Sequence, residues 1–150
     1  MAGAAAHLHG WGYQGRTVED LVQFARAHDV TTVVDIRLTP LSRKRGFSRR
    51  ALESALSAAG LGYLHLPALG NPRDNRGAFA RVHTDEGVEA RSRFLNEVLS
   101  AESAREALAT LQNLAESVDV VVLCFEADED LCHRQLVIRA LEARLQRAVA

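Results

Sequence analysis

The chain has 150 residues, 47% of them hydrophobic and 25% charged, with a formal net charge of -1. These values describe one globular domain large enough to bury its own core. They exclude a disordered chain and a protein drawn by overall charge to nucleic acid or an anionic membrane.

Residues 7–13 are short, apolar and glycine-punctuated, and predict a first strand that leaves through Gly12 and Gly15. Thr17 has the side chain of a helix N-cap, with Glu19 and Asp20 in the first turn where the helix dipole favours them. Leu21, Val22, Phe24 and Ala25 give that helix its apolar face until Asp29. Residues 31–36 are β-branched and nearly continuous in hydrophobicity, the pattern of a strand buried on both faces. Pro40 stops this strand, and Ser48 opens a second helix carrying Leu52, Ala55 and Leu56 that ends at Gly60. Residues 62–66 predict a third strand closed by Pro67, and residues 68–81, rich in Gly, Pro, Asn and Arg, predict the longest loop. Helices are expected over 87–99 and 103–116. Residues 119–125 give the clearest buried strand, followed by an acidic turn and a last helix over 131–147.

This alternation predicts an α/β single domain, with a short, mainly parallel, Rossmann-like sheet of about four strands flanked by helices. In such a sheet all strand-to-helix loops leave one edge, and ligands bind there near the point where strand order reverses. The polar clusters of this chain fall in those loops, at 12–16, 35–45, 69–76 and 126–134. Their convergence on one cleft is the main expectation.

The second of these loops sets Asp35 and Arg37 two apart, on one strand face, and residues 35–50 hold six positive charges and one negative. Arginine forks suit phosphate or carboxylate, and the next helix N-terminus adds backbone donors. Anion or substrate binding is expected to draw on Tyr13, Arg37, Ser42, Arg43, Lys44, Gly70, Asn71 and Arg134. Against this stands an Asp35 to Arg37 structural pair beside a solvated basic loop. Arg73 and Arg76 belong to a segment that either closes over a ligand or is an exposed loop.

In the last loop, Cys124 at a buried strand end reads as a small core residue. Cys132 near a helix start has a dipole that lowers a thiol pKa, opposed by four nearby acidic groups. His133 suits general acid-base work with Glu126 or Asp35, or equally a helix-cap hydrogen bond. The candidate catalytic residues are therefore Asp35, Glu126, Cys132 and His133. No metal site is expected, because adjacent Cys132 and His133 on one helix diverge by roughly 100° and no Cys-x-x-Cys pair or fourth ligand is apparent. No cofactor is required by the sequence. His65, between Leu64 and Leu66, is expected to be structural.

Together, Gly12-Tyr13 with Gly15-Arg16, Asp35-Ile36-Arg37 with Pro40, Ser42 and Arg43, then Phe47, Leu66-Pro67 with Leu69-Gly70, and Cys124 with Glu126 and Cys132-His133-Arg134 form a set of motifs. By these the chain resembles the domain of unknown function 488 family of small bacterial and archaeal proteins. Trp11 stands where that family tends to show a smaller aliphatic residue. The resemblance implies an α/β domain whose site contains Asp35, Arg37, Glu126, Cys132, His133 and Arg134; it does not supply a reaction.

The expected function is an enzyme on a phosphate-bearing substrate, a nucleotide or nucleic acid, that hydrolyses a glycosidic or phosphoester bond. Arg37, Arg43 and Arg134 would hold the anion, Asp35 or Glu126 would activate water, and His133 would donate a proton. The alternatives are a non-catalytic anion or nucleic-acid binding module and a thiol-dependent enzyme. Two cysteines are too few for a disulfide scaffold, and no apolar run approaches the roughly twenty residues of a membrane span. The first seven residues lack the basic flank and apolar stretch of a signal peptide, so a cytoplasmic location without membrane association is expected. Oligomeric state is left open.

Overall fold

A computed structural model describes residues 8–149. Along the chain run β1 (Leu8–Gly12), α1 (Val18–Ala27), β2 (Val30–Asp35), α2 (Arg49–Ala58), β3 (Gly62–His65), α3 (Arg73–Phe79), α4 (Asp85–Arg93), α5 (Glu102–Ala115), β4 (Asp119–Cys124) and α6 (Arg134–Val149). The four strands form one all-parallel sheet in the order β1-β4-β2-β3. The predicted α/β domain is therefore the observed one. The first predicted strand begins at His7, which lies outside the described residues.

Helices cover both faces, as a parallel sheet requires. On one face α1 and α2 bury Leu21, Ala25, Leu52 and Leu56 against Val33, Val121 and Leu123. On the other, Ala90, Phe94, Leu108, Leu111, Val137 and Leu141 pack on Val34, Val120 and Val122. β4 sits between β1 and β2, and its exit loop leads to the opposite face from theirs. The crevice where neighbouring loops diverge thus opens beyond the carboxyl end of β4, the place where such sheets bind ligands.

Local chemistry explains most boundaries. Thr17 and Asp20 form a reciprocal capping box at 2.9 and 3.1 Å. The chain leaves α2 through Gly60 at φ 78°, a left-handed conformation that suits glycine. Ser48 stands at the N-cap of α2 but makes no capping bond; its hydroxyl instead bonds the backbone N–H and C=O of Ser42 and folds the basic loop on itself.

Three expectations need correction. Residues 68–81 are not one long loop: a 3₁₀ turn at Pro67–Leu69 leads into α3, which Asn75 pins by donating to Asn71 Oδ1 and to the Ala90 carbonyl, both at 2.9 Å. The helix expected to run through 99 changes to π-helical geometry over Phe94–Leu99. The last helix starts at Arg134, not Leu131, because residues Glu129–Leu131 form a separate 3₁₀ turn and Cys132 is extended at φ -117°, ψ 143°.

Candidate functional site

The four exit loops converge on a cavity of about 200 Å³ at the carboxyl edge of the sheet. Tyr13 arrives from the loop after β1, Arg37 and Thr39 from that after β2, Asn71 from that after β3 with Arg76 from α3, and Cys124, Glu126 and His133 from the end of β4 and the loop beyond. Strand register causes this: Gly12 stands beside Cys124, and Asp35 beside Leu123, so the loops leave at one level. Leu38, Leu41 and Phe125 line the same cavity and are three of the five exposed large hydrophobics among the described residues, so its rim is apolar.

Below the cavity floor Asp35 is wholly buried and both carboxylate oxygens are engaged. Oδ1 accepts from Arg37 N–H and Nε at 3.1 and 2.9 Å; Oδ2 accepts from Arg37 Nη2 at 2.7 Å and from the Tyr63 hydroxyl at 2.6 Å. Arg37 spends its Nη1 on the Phe47 carbonyl at 2.7 Å and on the Tyr13 hydroxyl at 3.4 Å. Burial alone would lower the Arg37 pKa, yet its bonds to and charge pairing with Asp35 hold it well above the ordinary value. Burial, then the bond to Asp35, likewise raise the Tyr63 phenol far above its usual range. His65 closes the knot by bonding the Arg37 carbonyl through Nε2 at 2.7 Å, the structural role expected of it.

The second cluster is buried beside the cavity. His133 Nε2 lies 3.1 Å from the Ile36 carbonyl, which can only accept, so Nε2 carries a proton and the lone pair of the neutral ring is on Nδ1. That lone pair faces two sulfurs, Cys124 Sγ and Cys132 Sγ, each at 3.6 Å. Cys132 Sγ also accepts from the Arg134 N–H at 3.5 Å. Burial pushes the Cys132 thiol pKa up, as does Cys124, while His133 pulls it down. Glu126 stands nearer solvent, its Oε2 3.7 Å from Cys124 Sγ, and has no ion pair among the described residues.

Arg134 works as a staple on the far side of this loop. Its Nε bonds Glu129 at 3.2 Å and its Nη1 the Glu126 carbonyl at 3.0 Å. Two glycines of β1 leave it room. A Cβ on Gly10 would meet Glu129 Oε1 at 2.1 Å, and one on Gly12 would meet the Glu126 carbonyl oxygen at 1.7 Å.

Of the residues singled out by sequence, Tyr13, Arg37, Asn71, Glu126 and His133 line the cavity. Asp35, Cys132 and Arg134 lie behind it, and Ser42, Arg43 and Lys44 do not reach it; Lys44 borders a separate concavity with Arg16 and Arg45. Gly70 does not line it either, since it packs on the backbone of Leu38, where an added Cβ would come within 2.5 Å. Eight further residues line the cavity, of which Cys124 and Arg76 bear on its chemistry. Cys124 was taken for core. Arg76, expected in a segment that either closes over a ligand or is an exposed loop, bonds the Asn71 carbonyl through Nε at 3.0 Å, and its two terminal nitrogens have no protein acceptor among the described residues. Asn71 precedes α3 and Arg76 lies within it, and their grouping in one arginine-bearing segment was the available signal.

The family model described as "Domain of unknown function DUF488" matches residues 17–141. No curated protein and no solved structure matches the chain.

Proposed function

The chain belongs to the DUF488 family, and for this member we propose a hydrolase of small nucleotide-class ligands that cleaves a glycosidic bond in the cavity beyond β4. One observation carries the reading: among the described residues a carboxylate without a cationic partner, Glu126, shares a cavity with a guanidinium whose terminal nitrogens are unused, Arg76. Arg76 with Asn71 would take the anionic group, since Arg37 and Arg134 are already committed to protein acceptors. The apolar rim of Leu38, Leu41 and Phe125 suits a flat ring.

Glu126 is then the group that directs water and balances the positive charge that develops on the sugar as its bond to the base breaks. Phosphoester cleavage fits less well, because Arg37 is committed to protein acceptors and Arg76 alone is little charge for a transferring phosphoryl group. A thiol mechanism loses support from the burial that raises the Cys132 pKa.

A panel of nucleotides tested for release of free base checks the reading. Glu126→Gln should lower turnover by about 10²–10⁴-fold, the usual worth of a positioned acid-base group, while ligand-induced thermal protection persists. Arg76→Ala should lose that protection. Protection without turnover in the wild type would identify a binding module, and neither effect across the panel would overturn the proposal.

A further inference from the structure

We propose that Cys124, Cys132 and His133 form a zinc site whose open fourth position faces the cavity. Cys132 and His133 would diverge from a single metal if they shared one helix. They do not, because the 3₁₀ turn ends at Leu131, Cys132 is extended, and α6 begins only at Arg134. Freed from helical geometry, the adjacent pair turns toward Cys124, and the three potential ligand atoms lie within 4.8 Å of one another.

The spacing is that of a tetrahedral ion. With Zn–S near 2.3 Å and Zn–N near 2.0–2.1 Å, ligand sulfur and nitrogen atoms stand roughly 3.6 Å apart. Both sulfur to Nδ1 distances here are 3.6 Å. The tautomer is also set: the Ile36 carbonyl takes the Nε2 proton at 3.1 Å, which orients the ring and aims the Nδ1 lone pair at the sulfurs. Zinc-bound histidines are held by such outer carbonyl bonds. The Arg134 N–H directed at Cys132 Sγ is a donor suited to a thiolate. Two thiolates and one neutral imidazole balance the 2+ charge, and their donor softness selects zinc over magnesium or calcium.

Two of the ligands, Cys124 and His133, line the cavity, while Cys132 anchors the ion from behind. The fourth position therefore opens where Glu126 stands, and three protein ligands plus one exchangeable position is the plan of catalytic rather than structural zinc. Binding balances as one Zn²⁺ taken up for one proton released from each thiol, with no change of oxidation state. This inference rests on the cluster alone and does not require the hydrolase reading.

The test uses the full chain, reduced, stripped with chelator under anaerobic conditions, and titrated first with Co²⁺ and then with Zn²⁺. One equivalent of Co²⁺ should give the visible bands of a tetrahedral ion and near-ultraviolet thiolate-to-metal charge transfer, both abolished by Zn²⁺. Cys124→Ser and Cys132→Ser should each weaken uptake by more than the roughly 10–100-fold that loss of an outer partner costs. Wild-type protein needs no variant: at 100 times the dissociation constant, zinc adds about 2.7 kcal/mol, which raises Tm by roughly 5–11 °C in a chain of this size. Glu126→Gln should keep the cobalt spectrum while losing base release, which separates failure of this proposal from failure of the hydrolase reading. Folded, reduced wild type that takes up neither ion, or whose uptake ignores both serine variants, overturns it.

Discussion

Replacing Asp35 by alanine asks whether this carboxylate is chemistry or scaffold. It is wholly buried, accepts four hydrogen bonds, and is the ion-pair partner of an arginine only 6% exposed. Removing it leaves a desolvated guanidinium unpaired and the Tyr63 hydroxyl without its acceptor, and breaking a buried pair in this way costs about 3–5 kcal/mol. For about 150 residues that lowers Tm by roughly 6–20 °C, and with a urea m-value near 2 kcal/mol/M it moves the midpoint down by roughly 1.5–2.5 M. Urea titration followed by far-UV circular dichroism reads the midpoint directly. The double variant Asp35→Leu with Arg37→Met should recover much of the loss, because it removes both desolvated charges together. Near-native stability in Asp35→Ala, with nucleotide turnover abolished, would refute the scaffold assignment and return Asp35 to the reaction.

Other expectations follow from the same contacts. Gly12→Ala should lose more than about 2 kcal/mol and displace the Glu126 loop, since the new methyl meets backbone rather than a flexible side chain; melting curves and base release should fall together. In Tyr13→Phe protein, which retains Tyr63 as its one tyrosine, absorbance titration should show no tyrosinate near pH 10. Because the folded-state pKa of Tyr63 is raised, its stabilising contribution is complete below about pH 10 and declines as pH rises toward the folded value, so Tyr63→Phe should flatten the alkaline loss of stability. Asn75→Ala should loosen α3 and weaken ligand protection without altering the cobalt spectrum, because Asn75 ties that helix to Asn71 and α4 but touches none of the three proposed zinc ligands.

The sheet and its ligand edge were legible because they depend on local signals. The unbroken run Val120 to Leu123 can only be a doubly covered strand, and Thr17 with Asp20 fixes where α1 begins. Parallel connectivity then gathers the exit loops without any knowledge of strand order. What the side chains do there was less legible, because it depends on competition among partners distant in sequence. Arg37 reads as an anion fork until Tyr13, Phe47 and Asp35 are seen to occupy it, and Tyr63, 28 residues from Asp35, carries no sign of its role. Residues 73–79 read as loop because their Gly and Asn content argues against helix; side-chain bonds from Asn75 override that propensity. The Cys-His pair was misjudged by a shift of three residues in where the last helix starts, enough to change whether two adjacent side chains can meet.

Placing β4 between β1 and β2 has a consequence for biosynthesis. Leu8 pairs with Val120, so during translation the amino-terminal strand waits for nearly the whole polypeptide before it gains its only neighbour. The parallel crossover unit of β2, α2 and β3 can assemble early, but its inner edge stays open until the late strand arrives. Closing such long loops late is slow, and an uncovered edge invites pairing with other nascent chains. Ribosome-bound intermediates arrested before residue 119 should therefore be the aggregation-prone species, and the cavity, to which β4 contributes Cys124, comes into being only with the final insertion.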